Sequence, residues 1–391
     1  MKRIKYISYY DTLDSTVKRN YVLAASNKMD YIISALNKSK VAVDVISFSG
    51  CISDKFCFDR GGLKNKGINT IKYFSSFGPT TNGIFRLLSR WWQTLQFVLW
   101  FLFNVKRNEQ ILIYHSLGYC KVLTLLKRVK KCVYIGEIEE IYQDVTPKSK
   151  AINKAEYAFI NVCDRYIFPT HLLNEKLNIK EKPSVLIHGI YEVERARNVS
   201  WGDSDVHVVY AGTFDPNKGG AVAAVTSVSF LPGNYHMHIC GFGSEHDTAE
   251  ILELIHRTSE ASNAKISYEG LLKGEDFICL LQKCQIGLST QNPTAAFNAT
   301  SFPSKVLTYL ANGLSVVSIR IPAIEKSAVG DCLSYYNEQS PMEIAQAIIQ
   351  ASTSIHKLSS SKRLKDLDKQ FSRDIKSLLC YEEVFKNLII H

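Results

Sequence analysis

NATSFPSKVLTYLANGLSVVS, residues Asn298–Ser318, decides how the rest of the chain reads. It parses as a polar loop, a Pro-Ser-Lys turn, a short amphipathic helix, a glycine stop and a strand. Pro303 suits the first turn of a helix, where its missing N–H costs nothing. Thr300, Ser301 and Ser304 are candidate caps. Val306, Leu307 and Leu310 recur at helical spacing, and Gly313 sits where a left-handed residue closes a helix. Lys305 falls in the first turn, where a cation opposes the helix dipole. That placement predicts an anion at this helix start, a phosphate held by backbone N–H groups and clamped by Lys305.

Outward from the motif, strands and helices alternate. Strands are expected at Val206–Tyr210, His236–Cys240, Ala264–Tyr268, Ile286–Ser289 and Leu314–Ile319, with helices at Ala221–Val228, from about Thr248, and near Glu275–Cys284. The first half repeats the theme. A strand at Ile4–Tyr9, a helix from about Arg19 to Leu36 and a strand at Val41–Phe48 precede a loop-rich region from Gly50 to Gly83. A long apolar segment follows, then a strand at Gln110–His115, a helix near Val122–Val129, and strands at Cys132–Glu137, Asp164–Pro169 and Val185–His188. Such alternation predicts parallel, doubly wound sheets. At 391 residues the chain exceeds one ordinary core. The polar run Gly189–Asp205 reads as a linker. The expected organisation is therefore a Rossmann-like domain over 1–190, a linker at 191–205, a second such domain over 206–370, and an amphipathic helix over 371–391 after a Lys/Ser-rich stretch. Ligands in these sheets sit at the carboxyl ends of strands.

Those strand ends carry phosphate-type residues. VVYAGTFDPNKGG places Gly212, Thr213 and Lys218 after the first strand of the second half, HICGFGSE places Gly241 and Gly243 after the next, and ISYEGLL places Glu269 and Gly270 after the third. With FPSKVLTYLANGLSVVS, this succession resembles the nucleotide-sugar domain of GT-B glycosyltransferases, closest to glycosyltransferase family 4, over about residues 206–350. The resemblance implies an α/β GT-B fold: two Rossmann-like domains facing a central cleft, the last helix crossing back to the N-terminal domain. By the same resemblance, Lys218 contacts the donor diphosphate, and Lys305 with the Ser304 and Val306 backbone holds its second phosphate side. Gly241 and Gly243 border the nucleotide. The chain departs from the family where an arginine is common, at Thr213, and where a glutamate holds the donor ribose, at Thr308. The acidic pair spaced eight apart falls on Thr300 and Thr308, leaving Glu325 as a candidate replacement carboxylate.

In the first half, His115 ends the strand ILIYH, where a group orienting an acceptor would lie. The alternative is a strand-end histidine making one hydrogen bond. Glu137, Glu139, Glu140 and Asp144 follow another strand, and one carboxylate there, Glu137 or Glu140, is a candidate general base. A solvated acidic loop is the rival reading. Asp11, Thr12, Asp14 and Ser15 form either an acceptor-facing loop or a helix N-cap cluster.

Charge is uneven. Residues 1–200 hold 31 Lys and Arg against 17 Asp and Glu, and the rest hold 16 against 20. Without aromatic-interleaved basic motifs, nucleic acid is disfavoured, and a phospholipid surface is the expected anionic partner. The segment Arg86–Arg107 is too short in its uncharged part to span a bilayer, but it fits an interfacial helix with Trp anchors. An internal packed helix is the alternative. The ten cysteines show no CxxC pair and no metal-like spacing with histidine, so free thiols in a reducing cytoplasm and no metal ligands are expected. MKRIKYISYYDTLDS lacks the apolar core of a signal peptide. The expected activity is transfer of a sugar from a nucleotide-diphosphate donor to a saccharide acceptor, lipid-linked as in bacterial O-antigen or capsule assembly, by a cytoplasmic protein peripheral to the inner membrane face. A nucleotide-sugar epimerase and a non-catalytic partner subunit are the rivals.

Overall fold

In a computed structural model, residues 2–12, 15–145, 148–353 and 357–388 are described; Asp14 and residues 389–391 lie outside them. The chain divides into two units. One comprises Met1–Pro169, Leu173–Ile187 and Gln370–His391, the other Thr170–Leu172 and His188–Lys369.

The first unit contains β1 (Lys2–Ser8), β2 (Val41–Ser47), β3 (Cys57–Asp59), β4 (Gly62–Lys66), β5 (Asn69–Tyr73), β6 (Ser76–Gly78), β7 (Gln110–Tyr114), β8 (Val133–Glu137), β9 (Arg165–Phe168) and β10 (Ser184–Leu186). The main sheet runs β10-β9-β8-β7-β1-β2-β5-β4, and β3 pairs with β6 apart from it. Its pairings are parallel except β4 with β5. Ile7, Ile46, Phe97, Phe101, Ile113, Leu123 and Phe159 meet in one apolar core. Four short strands thus occupy the region expected to be loop, because frequent Gly turns limit strand length without preventing pairing.

The second unit contains β11 (Val206–Thr213), β12 (Tyr235–Phe242), β13 (Lys265–Gly270), β14 (Ile286–Ser289), β15 (Ser315–Ile319) and β16 (Leu333–Tyr336). All five pairings are parallel, in the order β13-β12-β11-β14-β15-β16. Numbered within the unit this is 3-2-1-4-5-6, the Rossmann order, in which the direction of winding reverses between β11 and β14. The first unit reverses likewise between β1 and β7.

Two expected boundaries shift for identifiable reasons. The first helix begins at Leu23, with Val22 as an N-cap lacking a side-chain bond. Asp11, Thr12 and Ser15 therefore do not cap this helix. The Lys/Ser-rich stretch is helical: one helix, Lys357–Leu388, covers it and continues through Phe371. From Gln370 that helix belongs to the first unit, where Phe371 stacks on Tyr31 at 5.5 Å and Arg165 Nη1 donates to the Leu378 carbonyl at 2.6 Å. All ten cysteines are free.

Candidate functional site

At the winding reversal of the second unit, β11 and β14 splay and their following loops define the candidate site. After β11 the chain makes a turn in which the amides of Lys218 and Gly219 donate to the Asp215 carbonyl. Gly219 takes a left-handed conformation (φ 62°) and starts the helix Gly220–Ser227. The loop after β14 closes over this turn: Asn292 N donates to the Lys218 carbonyl at 2.7 Å, and Thr290 Oγ1 to the Gly220 carbonyl at 2.7 Å. A side chain at Gly220 would meet the Thr290 carbonyl at 2.5 Å, so the close approach requires glycine there.

The Pro-Ser-Lys motif follows β14 and builds the other wall. Its helix runs Lys305–Ala311, starting two residues after Pro303. Ser304 is the N-cap but makes no side-chain cap bond, and Val306 N donates to the Pro303 carbonyl at 3.1 Å. The Val306 amide is thus committed to a local turn, which corrects the expectation that it faces a phosphate. The other end matches expectation. Gly313 has φ 81°, its N–H reaches the Leu310 carbonyl, and Leu314 N reaches the Tyr309 carbonyl, the paired bonds of a Schellman stop. Tyr309 fixes the helix on the sheet: its Oη accepts from Ala211 N at 2.8 Å, and its ring fills the space over Gly287.

Lys305 lies against β11. Its Nζ is 4.1 Å from the Tyr210 ring centroid, and a Cβ added at Gly212 would stand 2.8 Å from it. Among the described residues it has no ion pair. Burial, with the like charge of Lys218 adding to it, lowers its pKa to about 7. Lys305 thus stands beside a glycine at the carboxyl end of a parallel sheet, and the charge of Lys218, exposed in the loop after β11, acts on it. A seven-residue helix has little dipole, so the lysines carry most of the anion attraction. An ammonium held half-deprotonated without a counterion is a place prepared for an anion.

The remaining donor-side residues divide. Thr213 ends β11, pairing with Phe242. Gly241 faces Gly212 across the strands, and an added Cβ would come within 1.9 Å of the Gly212 carbonyl. Gly243 packs against Phe214 and Asp247. Close strand and helix packing therefore accounts for both glycines without a nucleotide. Thr308 Oγ1 donates back to the Ser304 carbonyl at 3.2 Å. Thr300 is buried, its carbonyl accepting from Thr170 Oγ1 at 2.6 Å. Glu325 pairs with Arg320, so its carboxylate is engaged within its own segment.

In the first unit, His115 follows β7 at the reversal point, but its ring is enclosed. It lies parallel to Phe159 at 6.0 Å and 3.6 Å from the Glu156 carboxylate, and neither ring nitrogen has a hydrogen-bond partner among the described residues. Burial lowers its pKa to about 4, leaving a neutral imidazole without access to an acceptor in this conformation. Glu137 ends β8 fully buried, accepting from Tyr6 Oη. Burial first, then the neighbouring Glu139, pushes its pKa up to about 8. Glu139 pairs with Lys28 at 2.5 Å, Asp144 with Lys176 at 2.9 Å, and Glu140 is half-buried. Asp11 accepts from Tyr73 Oη at 2.8 Å. Sequence reasoning missed Tyr6, Lys28 and Tyr210, whose roles arise only from cross-strand and inter-element contacts.

The long apolar segment forms the helix Gly83–Asn104, capped by Asn82. Its inner stripe is Ser89, Gln93, Phe97 and Phe101, and Trp92 Nε1 and Gln96 bind Ser75 beside it. Its outer face presents Ile84, Leu87, Leu88, Trp91, Leu95, Leu99 and Phe103, with Trp91 69% and Phe103 85% exposed. Among the described residues no helix is long and apolar enough to cross a membrane.

No family model and no curated protein sequence matches the chain. Solved structures do. A sucrose-phosphate synthase from Thermosynechococcus elongatus matches with a TM-score of 0.72 at 13% identity, over 99% of this chain and 100% of that one. An alpha,alpha-trehalose-phosphate synthase (UDP-forming) from Burkholderia xenovorans in complex with glucose-6-phosphate matches at 0.67 and 10%, over 97% and 100%. An E. coli structure described as trehalose-6-phosphate bound with UDP-2-fluoro glucose matches at 0.65 and 10%, over 98% and 99%. At such identities the likeness is one of fold, and that fold is the GT-B fold of two Rossmann-like α/β units.

Proposed function

We propose that the chain is a glycosyltransferase that takes a sugar from a nucleotide-diphosphate donor. The observation that carries this reading is the Lys305 ammonium, held beside Gly212 without an ion pair among the described residues and within the field of Lys218, at the winding reversal of the second unit. The matched proteins add support, since one is described as UDP-forming and another is bound with UDP-2-fluoro glucose. As the glycosidic bond to the donor breaks, negative charge grows on the leaving diphosphate. The Lys305 ammonium, packed against Tyr210, stabilises it with little reorganisation and the charge of Lys218 adds to it; loss of one such group typically costs about 10²–10³ in rate.

In this reading the acceptor is a lipid-linked saccharide of bacterial surface polysaccharide assembly, and the protein works at the inner membrane face, as a relative of glycosyltransferase family 4. The helix Gly83–Asn104 supports it because, beyond the inner stripe that Phe97 and Phe101 bury, it presents a second apolar face outward. So large an exposed apolar face marks an interaction surface. Beside it, a groove of about 440 Å³ is lined by Leu87, Trp91, Tyr119, Val122 and Ile152, wide enough for part of an isoprenoid chain. Position 308 favours a second reading, a non-catalytic partner subunit, because its hydroxyl is spent on its own helix and offers no carboxylate to a ribose.

A thermal-shift panel of UDP-, GDP- and dTDP-sugars, followed by radiolabelled transfer to a polyprenyl-diphosphate saccharide, tests the proposal. Stabilisation by one donor class, lost in Lys305→Ala, is expected. Stabilisation by none refutes donor binding, and binding without transfer supports the partner subunit.

A further inference from the structure

Three histidines that sequence spacing does not group are brought together at the amino ends of β11 and β12. His236 and His238 alternate along β12 and so share a face, and His207 of β11 is registered opposite His236. The inner nitrogens, His207 Nδ1 and His238 Nε2, lie 2.9 Å apart. Each ring has its own partner on the other nitrogen. His207 Nε2 meets Asp203 Oδ1 at 2.8 Å, His238 Nδ1 meets Glu269 Oε1 at 2.7 Å, and His236 Nε2 meets Ser267 Oγ at 2.7 Å. Trp201 covers the group, stacked at 4.5 Å on His238 and 5.2 Å on His207, with Lys283 over its outer face.

The carboxylates determine what the inner nitrogens can be. A carboxylate accepts, so His207 Nε2 and His238 Nδ1 carry the N–H groups. Two neutral rings then turn lone pairs at each other in a buried place, an arrangement that needs a positive charge between them. That charge is either a shared proton or a metal ion. A third imidazole at the same spot, with one ligand atom from each ring within 4.8 Å of the others, favours the ion. So does the pattern in which each ring's other nitrogen is held by an oxygen partner, the arrangement that orients histidine ligands.

We propose that His207, His236 and His238 bind one divalent transition-metal ion of the zinc class, oriented by Asp203, Ser267 and Glu269. The inner nitrogens stand a few tenths of an ångström closer than the roughly 3.3 Å expected between two nitrogens on tetrahedral zinc, so binding requires only a slight opening. The site stands at the opposite end of β11 from Lys218 and Lys305, independent of the donor reading. Its role is structural, fastening the segment that bears Trp201 and Asp203 to the sheet.

The test is titration of the chelator-treated full chain with Co²⁺ and Zn²⁺. One equivalent of Co²⁺ giving the intense visible band of a four-coordinate ion is expected, and Zn²⁺ at a hundredfold excess over Kd is expected to raise Tm by about 5–10 °C. His236→Ala, at a half-buried ring, should abolish both while leaving the metal-free Tm within a few degrees. Asp203→Asn should weaken Zn²⁺ binding by about 10–100-fold. Absence of stoichiometric binding in the unaltered chain, or full binding by His236→Ala, overturns the proposal and leaves a proton shared by the inner pair.

Discussion

Raising the pH should weaken donor binding through one residue, Lys305. In the free chain its pKa is lowered to about 7 by burial and by Lys218. The unfolded chain holds that proton up to the ordinary lysine range, so folded stability rises as pH climbs from about 7 towards 10.5. Binding reverses the sign. The diphosphate of a sugar nucleotide stays fully ionised across this range, and beside it the ammonium is favoured again. With a pKa of about 7 free and at least about 9 bound, Kd should rise about 20-fold between pH 6 and pH 8.5, a loss of ~1.8 kcal/mol. Calorimetry in two buffers of different ionisation heat provides a second readout. Uptake of about half a proton per donor is expected at pH 7, and most of one at pH 8. Lys305→Met should bind about 10–100-fold more weakly at pH 6, as for a lost charge-assisted bond, with a flat pH profile. A flat profile in the unaltered chain, or the same slope in Lys305→Met, refutes the reasoning.

Three further outcomes follow from the geometry. Glu137, with its pKa raised to about 8, holds a proton when folded that the unfolded chain releases near 4.5; stability should therefore fall as pH rises from about 4.5 to 8. Urea denaturation of Glu137→Gln should lack that slope, and an unchanged slope would remove Glu137 as its source. Gly241→Ala forces a Cβ to within 1.9 Å of a backbone carbonyl and should cost more than about 3 kcal/mol or abolish soluble expression, whereas Gly270→Ala, with open space but φ 72°, should cost about 1 kcal/mol. Equal Tm values for the two would sink the packing account. Replacing Trp91 and Leu95 together by Glu should lower pelleting with anionic vesicles more than about a hundredfold, because each apolar side chain contributes roughly 1.5–3 kcal/mol on burial. Tm should hold, and unchanged pelleting would exclude this face as the contact.

What the sequence reveals here depends on distance along the chain. The strand β14, the glycine stop at Gly313 and the alternation of both halves are local, and they follow from turn chemistry and periodicity. Lys218 and Lys305 were reachable as partners of one site because both follow strands that the alternation located. Tyr210 under Lys305, Tyr6 on Glu137 and Lys28 on Glu139 were not, since each depends on which strands become neighbours. Gly241 and Gly243 carried a ligand expectation because a glycine required by backbone packing and one left open for a ligand look alike in sequence. The three histidines stayed hidden for the complementary reason: their grouping crosses strands.

The helix Lys357–Leu388 has a consequence for synthesis on the ribosome. The second unit is almost one continuous run of chain and can mature as it emerges. The first unit begins earlier but cannot finish earlier, because Phe371, Ile375 and Leu378 are buried in it and arrive only after the second unit has been made. Until then Tyr31 lacks its stacking partner and Arg165 the carbonyl it binds. The half of the molecule translated first is thus the half completed last, and the nascent protein must carry a first unit lacking its final helix through about the second half of its elongation.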